Sequence, residues 1–194
     1  MSVPPVVWTV GHSNRALDEF AESVLGEQIE FLVDVRSFPY SRFAPHFNRE
    51  ELDAAMSQLG VRYIFLGGAL GGRPEREEHY DAQGHALYGP MSKEPEFVAA
   101  IGGLLEGARE HRLALLCSCG DPVNCHRRLL VGKVLCDQGV ELRHILRDGC
   151  VQTERSVTLE EPNEPKALFG HDERPWRSAQ SVSHRRRLST SSSV

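Results

Sequence analysis

Leu113-Ala-Leu-Leu-Cys117 runs into Ser118-Cys-Gly-Asp-Pro-Val-Asn-Cys-His-Arg127, and Leu129, Leu130, Val134 and Leu135 then recur at helical spacing as far as Gly139. An apolar run this short and unbroken reads as a strand covered on both faces. A helix directly after it reads as part of a parallel β–α unit. The same alternation extends in both directions. Val6-Val-Trp-Thr-Val10 stops at Gly11, and Leu17, Phe20, Ala21, Val24 and Leu25 follow with a helical period. Phe31-Leu-Val-Asp-Val35 is a second strand. Asn48 with Glu51 three residues on resembles a capping box for a helix carrying Leu52, Ala55, Met56 and Leu59, which Gly60 ends. Arg62-Tyr-Ile-Phe-Leu66 is a third strand, Phe97 to Ala108 a helix behind Glu94-Pro95, and Leu142-Arg-His-Ile-Leu146 a fifth strand. The sequence predicts an α/β domain, Rossmann-like or flavodoxin-like, with three layers and a mostly parallel sheet of about five strands. The pattern leaves the strand order open.

Composition sets the outer bounds. The chain has 194 residues, is 40% hydrophobic and 25% charged, and carries a net charge of −5. That is ordinary globular composition. It excludes a secreted disulfide scaffold, a collagen, a membrane protein and a wholly disordered chain. The opening MSVPPVVWTV lacks the basic and apolar regions of an export signal. Five cysteines, three of them within Cys117–Cys125, are therefore expected as reduced thiols in the cytoplasm. The composition shifts near residue 160. From Glu160 the chain reads EEPNEP, continues through KALFG and ends in basic and serine clusters. Such sequence buries too little apolar surface to offset its ordering entropy. One domain is expected over 1–159 and a disordered or extended tail over 160–194.

In open α/β sheets, ligands bind beyond the carboxyl ends of the strands. Four strands here end in polar, glycine-rich sequence with reactive or cationic groups. Gly11-His12-Ser13 follows the first, Arg36 to Arg42 the second, a glycine-rich stretch with Arg73 the third, and the cysteine loop the fourth. The long segment from Gly67 to Glu94 suits a flap over that edge. Cys125-His126-Arg127 stands at a helix N-terminus, where exposed N–H groups and the helix dipole favour an anion and lower a thiol pKa. Cys125 is thus the expected nucleophile or redox thiol, and His12 the proton-transfer group. Arg36 and Arg127, with Ser13, Arg42, Arg73 and His126, are expected to hold an anion. Asp34 shares a strand face with Arg36 and either pairs with it or acts as a general base. Cys117, Cys119, Cys125 and His126 offer zinc-type ligands, but their spacing is not that of a knuckle, so neither metal nor cofactor is expected. A disulfide from Cys125 to Cys117 or Cys119 under oxidation is a further option.

Thr9-Val-Gly-His-Ser-Asn-Arg15, Leu32-Val-Asp-Val-Arg-Ser37, Phe47-Asn48, Leu66-Gly-Gly-Ala-Leu-Gly-Gly-Arg-Pro74 and the late Cys-x7-Cys-His-Arg resemble the family known as domain of unknown function 488. The resemblance spans about residues 6–150. It implies an α/β fold and a bacterial or archaeal cytoplasmic origin, and no activity. Where this chain has Cys119, the family usually has glutamate. A looser likeness links the Asp-x-Arg strand end and the cysteine loop to rhodanese-type sulfurtransferases, which would place a persulfide on Cys117. Against it, the loop is longer and Cys117 lacks an arginine at short spacing. In the tail, Pro165-Lys-Ala-Leu-Phe-Gly170 is similar to the end of sliding-clamp-binding peptides without their glutamine, and His184-Arg-Arg-Arg187 is basic enough to touch nucleic acid. The leading expectation is a small enzyme with an anion-binding, cysteine-containing site. The alternatives are a nucleic-acid or nucleotide-binding module without catalysis, and rhodanese-like sulfur transfer. A small anionic ligand or nucleic acid is the expected partner, and no membrane.

Overall fold

The computed structural model describes residues 3–160 and 175–182. Its elements follow the expected alternation. In chain order they are β1 (Val6–Gly11), α1 (Leu17–Gly26), β2 (Phe31–Asp34), α2 (Arg49–Gln58), β3 (Arg62–Phe65), the single turns α3 (Gly67–Leu70) and α4 (Tyr88–Met91), and α5 (Pro95–Glu110). Next come β4 (Leu113–Cys117), α6 (Lys133–Asp137), β5 (Glu141–Ile145), β6 (Val151–Thr153) and α7 (Glu154–Glu160). A π-helical stretch, Arg127–Gly132, leads into α6. The sheet order is β3-β2-β4-β1-β5-β6. All pairs are parallel except β5 with β6. The domain is the expected three-layer α/β fold, with a sixth, three-residue edge strand that is too short to leave a hydrophobic period.

Alternation along the strands divides the core in two. Val7, Val33, Leu113, Leu115 and Leu142 face Phe97, Ile101 and Leu104 of α5 and Leu135 of α6. Trp8, Val10, Leu32, Ala114 and Leu116 face Phe20 and Val24 of α1 and Leu52 and Met56 of α2. All five residues of β4 are buried. In sequence order β4 comes late, yet it inserts between β1 and β2. Its register sets Cys117 beside Gly11, and Leu116 beside Asp34. This crossover brings the ends of β1, β2 and β4 side by side.

The segment Gly67–Glu94, expected as a flap, folds into short turns whose Leu70, His79, Ala86 and Tyr88 are buried. Part of the expected tail also belongs to the body. The Tyr88 N–H donates to the Trp176 carbonyl (2.9 Å), Ser178 N–H to that of Ala86 (2.9 Å), and Val182 N–H to that of Gly84 (2.9 Å). Trp176 Nε1 donates to the Leu129 carbonyl (2.8 Å). Residues 175–182 thus form a strap along 84–88. The peptide-like stretch 165–170 and the basic stretch 184–187 lie outside the described residues. Among the described residues, no helix is long and apolar enough to cross a membrane.

Candidate functional site

The cysteine loop is held by its carbonyl groups. The N–H groups of His12 and Ser13 donate to the Cys117 and Ser118 carbonyls, each at 3.0 Å. The guanidinium of Arg127 donates to the Cys119 (2.5 Å) and Gly120 (3.1 Å) carbonyls and through Nε to Thr9 Oγ1 (3.3 Å). Gly11 makes this approach possible, since a Cβ there would lie 1.7 Å from the Cys119 carbonyl oxygen. No peptide is cis. In a trans peptide the N–H points opposite to the preceding carbonyl. The N–H groups of Ser118, Cys119, Gly120 and Asp121 are therefore turned away from β1 and from Arg127.

On the open side of the loop lies a cavity of about 580 Å³, lined by Cys117, Cys119, Cys125, His126, Arg36 and Arg73 among others. The strap supplies Ser178 and Gln180 to its wall. His126 stands where the helix begins. Its Nε2 is 2.8 Å from the Val35 carbonyl. A carbonyl only accepts, so Nε2 carries a proton and Nδ1 is left to face the thiols. Nδ1 is 3.7 Å from Cys117 Sγ and 4.0 Å from Cys125 Sγ. Gly72 backs the ring, and a Cβ there would lie 2.6 Å from His126 Cγ.

The thiols differ in acidity. Hydrogen bonds from Cys119 and Cys125 hold the Cys117 thiol well below its ordinary value, against burial and with help from the charge of His126. Burial would lower the His126 imidazole, but the facing Cys117 raises it. Burial and then Cys117 push Cys125 up to about 12. Cys117 and Cys125 also push Cys119 up. These opposite shifts favour negative charge on Cys117 over Cys119 and Cys125. The ligand atoms of Cys117, Cys125 and His126 all lie within 4.8 Å of one another, a set that could also take a metal ion.

Behind the cavity sits a second network. Asp34 is fully buried and pairs with Arg36, with Nη2 at 2.6 Å and Nε at 2.9 Å. Tyr63 Oη donates to the same carboxylate at 2.5 Å. Arg36 Nη1 donates to His12 Nε2 (3.1 Å), and His12 Nδ1 donates to the Ser13 carbonyl (2.8 Å). Burial, and then the charge of Arg36, lower the His12 pKa to about 4.

Of the expected site residues, the fold brings Cys117, Cys125, Arg36, Arg73 and His126 together in one cavity. His12 and Ser13 line an adjoining one of about 440 Å³. Both ring nitrogens of His12 are engaged, by Arg36 and the Ser13 carbonyl. Asp34 is engaged by Arg36 and Tyr63, the pairing that its shared strand face with Arg36 offered. Arg127, expected to grip an anion, is fully buried and spends its donors on the loop. Arg42 is exposed and lines neither cavity, its guanidinium lying 5.4 Å from the centre of the Phe43 ring. The sequence analysis missed Tyr63 and the strap. Tyr63 left no signal in the sequence, because its reach to Asp34 depends on β3 pairing with β2, which the pattern does not give.

A model of the family described as "Domain of unknown function DUF488" matches residues 16–134, which include Asp34 to Arg36 and the whole cysteine loop. No curated protein and no solved structure gives a significant match.

Proposed function

The chain belongs to the DUF488 family, whose description names no reaction, and from the geometry of its cavity we propose a thiol-dependent group-transfer enzyme acting on an anionic substrate. The nucleophile is Cys117. The observation that carries this reading is the position of Cys117 Sγ, at the carboxyl end of β4, inside the cavity and 3.7 Å from His126 Nδ1. A thiolate paired with an imidazolium is the usual form of an activated cysteine. Cys125, which the helix N-terminus favours on sequence grounds, is the poorer choice, because burial and the neighbouring Cys117 keep it protonated.

The chemistry divides among named groups. Cys117 Sγ forms a bond to the electrophilic atom of the substrate, and the bond from that atom to its leaving group breaks with its electron pair. The proton that left the thiol for His126 passes from Nδ1 to the leaving group. Arg36 and Arg73 supply positive charge to the substrate anion. The N–H groups of 118–121 offer donors where an oxyanion develops. All five cysteines are free thiols, which suits a reducing, cytoplasmic setting.

Alkylation rate against pH, followed for each cysteine by peptide mass spectrometry on native protein, tests the assignment. Cys117 is expected to titrate well below the ~8.5 of a free thiol, and Cys125 above it. An ordinary or raised apparent pKa at Cys117 overturns the proposal. So does one equivalent of tightly held metal in protein purified without chelators, because the three ligand atoms would then be coordinating.

A further inference from the structure

The loop between β2 and α2 reads Val35-Arg-Ser-Phe-Pro-Tyr-Ser-Arg-Phe-Ala44. Phe38 is 58% exposed, Tyr40 57% and Phe43 88%. Among the described residues, these are the only Phe, Tyr or Trp side chains exposed to that degree. Apolar rings gathered at one place in water mark a contact surface. This surface lies at the mouth of the site. Phe38 and Tyr40 line both the main and the adjoining cavity, and Phe43 lines the adjoining one. The two cavities also share Arg36 and Ser118.

The rings are interleaved with cations. Arg42 lies against Phe43. Arg73 is exposed, with no carboxylate partner among the described residues, and Arg36, paired with Asp34 and His12, lines the cavity wall. Of the carboxylates near this rim, Asp34 pairs with Arg36, Glu50 accepts from Tyr40 Oη at 2.8 Å, and Asp121 accepts from the Val123 N–H at 2.8 Å. The chain as a whole is acidic at −5. The arginines at this rim are therefore a local feature and not a reflection of overall charge.

We propose that the anionic substrate is a single-stranded nucleic acid, its bases stacked on Phe38, Tyr40 and Phe43 and its phosphates facing Arg36, Arg42 and Arg73. The proposal rests on the assignment of the cavity as the substrate site and names the class of substrate. Aromatic platforms beside a cationic groove are how strands are held without pairing. One ring would serve a free nucleotide; three rings and two joined cavities serve successive nucleotides. A duplex keeps its base faces stacked and offers these rings nothing.

The test uses fluorescence anisotropy on the full chain with a labelled oligo(dT) of about twelve nucleotides. The arms are the same strand annealed to its complement, oligo(rU), and ATP as competitor. One or both single strands are expected to bind, more weakly as salt rises and more tightly than the duplex. Phe43→Ala should weaken binding by about 5- to 100-fold, the effect of losing one stacking ring, with unchanged thermal stability because the ring is 88% exposed. Arg73→Ala should lower the slope of log affinity against log salt by about 1. Absence of strand binding at low salt, equal affinity for duplex, ATP competing as tightly as the strand, or indifference to both variants each overturns the proposal. Cys117 reactivity is read separately on the same protein. A reactive Cys117 without strand binding removes this inference alone. Strand binding with an ordinary Cys117 removes the thiol chemistry alone.

Discussion

Replacing His12 by Gln should change how stability depends on pH. In the folded protein His12 stays neutral down to about pH 4, because it is buried and Arg36 donates to its Nε2. In the unfolded chain it titrates near 6.5. Between these values the unfolded chain takes up a proton that the folded one refuses, so stability falls as pH drops from 6.5 to 4. The full loss is about 3 kcal/mol, at ~1.4 kcal/mol for each tenfold change, and about 2 kcal/mol of it has gone by pH 5. Gln can still present a carbonyl to Arg36 but does not titrate. At pH 7 the variant should be less stable by about 1 kcal/mol, the worth of the ring stacked on Phe47 with centroids 4.3 Å apart. At pH 4.5 the order should reverse. His126, raised by Cys117, shifts stability the opposite way, but it is common to both proteins and cancels in the difference. Asp81 is held at about 2 by hydrogen bonds from His85 and Arg177 against its burial, so it acts only below 3.8. Urea unfolding followed by tryptophan fluorescence at several pH values measures the difference. Parallel profiles for the two proteins from pH 7 to 4.5 would refute the reasoning.

Three further outcomes follow from named contacts. Gly72→Ala puts a methyl group 2.6 Å from His126 Cγ; it should displace the ring and raise the apparent pKa of Cys117, read from alkylation rate against pH, by about one unit. An unchanged profile would mean that His126 does not govern the thiol. Asp34→Asn leaves the Arg36 guanidinium buried without its charge partner and should cost about 3–5 kcal/mol, measured by denaturant unfolding; a loss under ~1 kcal/mol would mean that water solvates Arg36. Trp176→Ala removes the bond to the Leu129 carbonyl and the edge contact with Tyr88, whose centroid is 5.9 Å away. It should cost about 2 kcal/mol, less than a fully buried Trp, and speed proteolytic cleavage within 175–182. Cleavage at the wild-type rate would show that the backbone pairing alone holds the strap.

The strands and helices were readable because both faces of the sheet are covered, which leaves short unbroken apolar runs. The convergence of motifs was readable as well, since it needs only the rule that loops after strands face one edge. The insertion of β4 between β1 and β2 left no trace in the pattern, although it makes three of those loops neighbours. The choice between Cys117 and Cys125 was beyond sequence for a similar reason. It depends on the orientation of His126, fixed by the carbonyl of Val35, 91 residues earlier, and by Gly72 behind the ring. The strap escaped because a short stretch set among prolines and charged residues has no period to detect. The aromatic rim was legible in principle, as three rings in a polar loop after a strand, but nothing in composition says that they stay in water.

Arg127 shows how a side chain can serve a site without reaching into it. Among the described residues no carboxylate pairs with it, whereas Arg36 has Asp34 and Arg128 has Glu154. Its partners are a hydroxyl and two carbonyls, neutral groups that satisfy its donors and leave its charge uncancelled. The same bonds turn those carbonyls inward and so turn the adjoining N–H groups outward. A fully buried cation beneath the loop and a row of N–H dipoles above it act in the same direction, favouring negative charge at the thiols and on a bound anion. In the proposed function, contact with the substrate anion is left to Arg36, Arg73 and the loop backbone, which line the cavity. Arg127 and Arg128 are both buried where the π-helical stretch Arg127–Gly132 begins, Arg127 beneath the loop and Arg128 paired with Glu154.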